Sequence, residues 1–240
     1  MSALNLFSEL ISAVQSDVNV DDTSPLFPLA TVKSAINRAY ILSAGLFKWP
    51  GTEDAKKTST QANIEYYDYP QNWRDNSVWR LELDGEQHGE SPDGSPMNYS
   101  DYLVWRADSD NANSTNKKWA NQKRRYFIYP VPTTNGSYNI SVWGYKVVDE
   151  MSADSDYTIF SYSMPECNEA IVREASAILR SKGEEDKAGE FKSVQAKQIL
   201  AIAWSKIQRE QAKYEKDQPM FDVPDFFSGK NTKENIIGNF

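Results

Sequence analysis

Apolar residues recur every three to four positions in four stretches of this chain, and every second position in much of what lies between them. The most extended helical pattern comes late. Ser163, Pro165 and Glu166 mark a helix start. Ser163 can cap, the proline suits a first turn whose N–H has no helical partner, and Glu166 faces the positive end of the dipole. Ala170, Ile171, Ala175, Ile178 and Leu179 then keep helical spacing, and Gly183 offers a left-handed stop. A second arm from residue 184 carries Ala188, Phe191, Ala196, Ile199, Ala203, Ile207 and Tyr214 on one broad face. Unbroken to Lys216, it would span about 50 Å.

Two helices are expected near the amino terminus. Leu4, Phe7, Leu10, Ile11 and Val14 form the first stripe, without the basic flank or cleavage site of a signal peptide. A polar linker over 17–28 holds the breakers Pro25 and Pro28. Leu29, Val32, Ile36, Ala39, Tyr40, Ser43 and Phe47 then outline a helix over 29–47, stopped by Trp49-Pro50-Gly51.

From Lys57 the period changes. Residues 58–67 alternate and are rich in β-formers, which predicts one strand, and residues 77–83 predict another, closed by the turn Asp84-Gly85. Residues 86–96 read as loop. Residues 99–107 suit a short helix started by Ser100 or Asp101, or a strand, with the helix preferred. Residues 108–118 read as a polar surface loop. Residues 124–129 and 138–148 are expected to pair as a hairpin, because Asn135-Gly136 between them favours positive φ.

The expected class is therefore α+β: a four-helix, bundle-like domain over 1–56 and 160–216, with a β-rich insertion over 57–159 between its second and third helices. An extended carboxy-terminal arm over 217–240 follows. That arm is too apolar for a solvated linker, with Met220, Phe221, Val223, Phe226, Phe227, Ile236, Ile237 and Phe240, yet Pro and Gly interrupt any helix. Such a segment packs on something, its own domain or another chain.

Charge and composition narrow the function classes. A net charge of −8 argues against a protein that grips nucleic acid by its phosphates. The basic run Lys117, Lys118, Lys123, Arg124 and Arg125 mixes with Trp119, Tyr126 and Phe127, which suits base stacking; a match to neighbouring acidic loops or another subunit is the preferred reading. Arg38 lies between core-facing positions, as a snorkelling charge or a subunit salt bridge. One cysteine, Cys167, excludes an internal disulfide; it is a small buried residue or a thiol activated by its helix start. No apolar run is long enough to span a membrane.

Catalytic chemistry finds little support. The single histidine, His88, sits in a loop, and no nucleophile motif accompanies it. Asp108-Ser109-Asp110 and Asp154-Ser155-Asp156 lack the glycine and glutamate of a calcium loop. No phosphate loop or dinucleotide fingerprint occurs. The expectation is no enzyme, no cofactor and no metal.

The order of several short motifs carries more. Ile36-Asn37-Arg38-Ala39-Tyr40, Tyr69-Pro70, Tyr129-Pro130-Val131-Pro132 and Val142-Trp143-Gly144-Tyr145-Lys146 precede Met151-Ser152-Ala153-Asp154-Ser155-Asp156 and a helix opening Pro165-Glu166. Over residues 30–214 this arrangement resembles the head-to-tail adaptor (connector, head-completion) proteins of tailed bacteriophages. The resemblance implies a structural virion protein at the head–tail interface, made in the host cytoplasm. It implies a dodecameric ring beneath the portal that prolongs the DNA channel, lets double-stranded DNA pass without specific binding, and presents a surface to tail nozzle, tube or stopper proteins. It implies that the arm docks on the portal through Phe221, Val223, Phe226, Phe227, Ile236, Ile237 and Phe240. Contacts to neighbouring subunits or tail are expected at Arg38, Trp79, Trp105, Trp119, Arg124 and Arg125. The alternative is a carbohydrate-binding or tail and fibre attachment protein whose Trp79, Trp105, Trp119 and Trp143 stack on sugar rings.

Overall fold

Trp49-Pro50-Gly51 ends one compact unit and the next residue opens another. The computed structural model describes residues 5–20, 25–89, 94–114, 117–182 and 186–214. Among them are five α-helices: α1 Phe7–Val18, α2 Leu29–Leu46, α3 Tyr99–Ala107, α4 Glu166–Lys182 and α5 Asp186–Tyr214. The strands are β1 Glu53–Ser59, β2 Tyr66–Asp68, β3 Arg80–Leu83, β4 Glu86–Gln87, β5 Lys118–Gln122, β6 Arg125–Tyr129 and β7 Asn139–Tyr145. All strand pairs are antiparallel, in one sheet of order β1-β7-β3-β4 and another of order β2-β6-β5. The architecture is α+β. The two units are Met1–Gly51 with Val148–Phe240, and Thr52–Val147.

In the first unit α4 packs against α1, α2 and α5, and the apolar stripes of all four helices meet in one core. α1 starts without a side-chain cap on Leu6; the Glu9 carboxylate instead accepts from the Asn5 and Leu6 N–H groups at 2.7 and 3.0 Å. It ends on Asn19, whose φ of 56° is the left-handed cap. The stretch over 148–165 that leads into α4 is held by buried amides. Asn37 donates to the Met151 carbonyl at 2.9 Å and accepts its N–H at 3.0 Å, as a second backbone would. Asn168, fully buried, accepts from Thr158 Oγ1 at 2.6 Å and donates to Ser161 Oγ at 3.2 Å. These two asparagines are polar positions that the stripe pattern passed over.

A charged tie joins three helices. Lys192 of α5 donates to both oxygens of Asp17 on α1 at 2.7 and 2.6 Å, and Arg180 of α4 donates to the Asp17 carbonyl at 2.7 Å. Burial pushes the Asp17 carboxyl up, but hydrogen bonding by Lys192 and the Ser176 hydroxyl, with the charges of Lys192 and Arg180, outweighs it and leaves the group below its ordinary 3.8. A folded value depressed below the unfolded one gives stability that is fully present above pH 3.8 and lost as pH falls through the folded value. Urea midpoints measured from neutral pH into the acid range should therefore drop less steeply at the acid end for Asp17→Asn than for the wild type. Identical slopes would remove the tie's role.

In the second unit the two sheets share a core of Tyr69, Trp73, Leu81, Leu83, Trp119, Tyr126, Ile128, Ile140 and Val142. α3 covers the sheet face that carries Phe127: Tyr99 and Tyr102 lie 5.1 and 6.2 Å from its ring. Asn98, rather than Ser100 or Asp101, caps α3 by accepting from the Ser100 N–H. Gly144 on β7 leaves room for Trp73, whose indole N–H donates to Asp54 on β1, the residue paired with Gly144.

Three strand expectations are corrected. Residues 58–67 are not one strand: β1 begins earlier, at Glu53, and Asn63 at φ 60° turns the chain before β2 enters the other sheet. The hairpin of 124–129 with 138–148 does not form either. β6 pairs with β2 and β5, while β7 pairs with β1 and β3. Pro130 and Pro132 cannot donate to a ladder, and the stretch between crosses sheets instead, bonded to the β1–β2 connection through Asn63 N–H to Pro132 O and Gly136 N–H to Thr60 O. β5 begins at Lys118, the last residue of the expected loop, and its pattern is faint because three of its residues are polar and only Trp119 and Ala120 are buried.

Candidate functional site

Among the described residues, those singled out from the sequence divide between surface and core. Arg38 is exposed on α2, where Ser34, Asn37, Ile41, Leu42 and Glu150 line the same shallow groove. Trp105 is half-buried and meets Tyr129 edge-on at 5.7 Å. Trp79 and Trp143 are half-buried, and the Arg80 guanidinium lies 5.0 Å over the Trp143 ring.

Trp119 is not a contact residue. It is fully buried, and its N–H donates to the carbonyls of His88 and Gly94 at 2.5 and 3.0 Å. A ring placed there cannot stack on a sugar or a base, and the alternating pattern around it could not distinguish the inner face from the outer.

The basic run is largely spent on its own unit. Arg124 donates to the carbonyls of Trp73, Pro70 and Gln71 and pairs with Asp75 at 3.0 Å, clamping the loop after β2. Arg125 pairs with Asp68 at 2.9 Å and lies 4.4 Å from the Tyr66 ring centre. Lys118 donates to the Gly89 carbonyl, and Lys117 sits 4.4 Å over Tyr138. The carboxylates that meet this run, Asp68 and Asp75, belong to the same unit and precede β3 in the chain.

The reactive side chains are quiet. Burial and the neighbouring Lys117 hold His88 below its ordinary value, with Glu86 opposing, so the imidazole is neutral near pH 7. Burial first, and then Glu166, push the Cys167 thiol up to about 12 despite its place in the first turn of α4. The carboxylates of Asp108 and Asp156 accept backbone N–H groups within their own turns. Among the described residues no three His, Cys, Asp or Glu side chains are grouped to hold a metal ion, and no helix is long and apolar enough to cross a membrane.

What the unit over 1–51 and 148–240 offers instead is apolar surface. α5 buries Ala196, Leu200, Ala203 and Trp204. Phe191, expected in that stripe, is 63% exposed, with Val194 at 52% and Ile202 at 59%. At about 100° per residue these three fall on the side of the helix opposite its core face. Ala188 is exposed as well. The signal was present in the sequence: one helix carrying two apolar stripes half a turn apart. A second patch holds Tyr157 and Tyr162, edge-on to each other at 5.1 Å, beside Leu6, which is bridged to Tyr157. All three are exposed. Leu4, Gly183, Lys216, the Tyr214 side chain and the arm residues Phe221, Val223, Phe226, Phe227, Ile236, Ile237 and Phe240 lie outside the described residues.

A family model described as SU10 adaptor protein matches residues 5–215, which takes in both units. No curated protein matches the sequence.

Proposed function

The chain belongs to the SU10 adaptor protein family, and we propose that it is the head-to-tail adaptor of a tailed phage, assembled as a dodecameric ring beneath the portal. As an adaptor it is a structural phage protein, a component of the virion whose partners are portal and tail proteins. The observation that carries the proposal is the extent of that match, 5–215 of 240 residues.

In this reading α1, α2, α4 and α5 make a bundle-like frame, and the β-rich unit inserted between α2 and α4 meets tail proteins or neighbouring subunits. The ring prolongs the DNA channel. A net charge of −8 suits a wall past which DNA slides, since it withholds the phosphate contacts that would make it stick. The apolar arm over 217–240 docks on the portal through Phe221, Val223, Phe226, Phe227, Ile236, Ile237 and Phe240. The sugar-stacking alternative loses a ring with Trp119 in the core.

The test is the mass of the complex formed with the cognate portal. The full chain should bind in many copies per portal. A chain lacking residues 217–240 should keep its circular dichroism and lose portal binding. Normal binding by the truncated chain would refute the docking role of the arm. A full chain that forms no portal complex at any salt concentration would refute the adaptor position itself.

A further inference from the structure

Two exposed patches on one unit differ in the sign of their charge. The outer stripe of α5, Phe191, Val194 and Ile202, has exposed Lys187 one turn before it and exposed Arg209 five turns after Phe191, both in line with it. Glu190, also exposed, stands one turn before Val194 at the edge of the stripe, where it lines the depression between α4 and α5. The Leu6, Tyr157 and Tyr162 patch is rimmed by carboxylates: Glu9 at the start of α1, and Asp154 and Asp156 just before Tyr157. Lys33 offsets only Asp154, at 3.1 Å.

We propose that the outer stripe of α5 docks, head to tail, on the Leu6–Tyr157–Tyr162 patch of a second copy of this chain. Both patches remain exposed within one chain, and apolar clusters of this kind on a water-facing helix and loop mark contact sites. Stripe-to-stripe pairing is disfavoured. A two-fold contact between α5 helices running in opposite directions, with Ile202 of one copy against Val194 of the other, brings Lys187 against Arg209, like charge on like. Pairing the basic stripe with the acidic patch satisfies both. Because the two surfaces differ, each copy keeps one free face after binding, and the contact propagates into a ring or an open series. The inference rests on the adaptor reading above and names the surfaces that would join its subunits.

Two surface variants test it: Phe191→Ser with Ile202→Ser on the stripe, and Tyr157→Ser with Tyr162→Ser on the patch. All four side chains are exposed, so melting curves should match the wild type. By sedimentation velocity, wild type should associate with rising concentration and each variant alone should stay monomeric. An equimolar mixture of the two variants should form dimers and stop there, since each supplies the face the other lacks. A mixture that stays monomeric, a patch variant that associates like wild type, or a wild type monomeric at its highest soluble concentration would each overturn the proposal. Portal binding through the arm is scored separately. Variants that fail to associate yet still bind portal locate the failure in the subunit seam, not in the adaptor position.

Discussion

Trp49→Ala is expected to destabilise the helical unit by about 3–5 kcal/mol, the cost of emptying a large aromatic site that cannot fully collapse. Trp49 is completely buried among Phe47, Phe160 and Trp204, at ring distances of 5.3, 5.1 and 5.5 Å. Phe47 in turn stacks on Trp204 at 5.4 Å. The cluster therefore joins the end of α2, the segment before α4, and α5. Its indole N–H donates to the Ser43 carbonyl at 3.0 Å, so truncation also removes that carbonyl's donor. The helical circular dichroism melt should shift down on the order of 10 °C. Trp49→Phe, which keeps the ring and loses only the N–H and part of the volume, should shift it less. An alanine variant that melts with the wild type would show that the cluster does not hold the unit together.

Gly144→Ala is expected to destabilise the β-rich unit by about 1–3 kcal/mol, through overpacking and not through a cavity. A Cβ at this position would stand 2.5 Å from two ring carbons of Trp73 and 3.3 Å from Ser77 Oγ. Trp73 is 1% exposed and is tied by its N–H to Asp54 at 3.1 Å, so the ring cannot swing away without breaking that bond. Adding a methyl group usually favours a strand over glycine; here the neighbour decides the sign. A double-mutant cycle isolates the cause. Trp73→Leu costs stability by itself, yet combined with Gly144→Ala the loss should be smaller than the sum of the two, because the clash is gone. Additive losses would place the effect elsewhere.

The glycine also gives a physical account of one motif in the adaptor resemblance. Val142-Trp143-Gly144-Tyr145-Lys146, the end of β7 and the residue after it, reads as buried, half-buried, buried, buried and half-buried, with the glycine under Trp73. Ile36-Asn37-Arg38-Ala39-Tyr40 is explained in the same way. Asn37 is the amide that holds Met151, Tyr40 accepts the Ile159 N–H, and Arg38 alone faces solvent. Apart from Arg38, the residues of these two motifs serve the fold.

Local features were legible in the sequence. The helix expected over 29–47 is α2, Leu29–Leu46, and the one expected over 99–107 is α3 to the residue. The turn at Asp84-Gly85 closes β3 on β4, with both residues at positive φ. Each depends on hydrogen bonds, caps and turn residues within a few positions of one another, and such information is written along the chain. Tertiary structure decided the rest. It sent β6 and β7 to different sheets, turned Trp119 into the core, closed Arg124 around the Pro70 loop and left Phe191 facing water. An alternating strand has two faces and a doubly striped helix has two seams. Only the partner brought from elsewhere in the chain determines which one is buried.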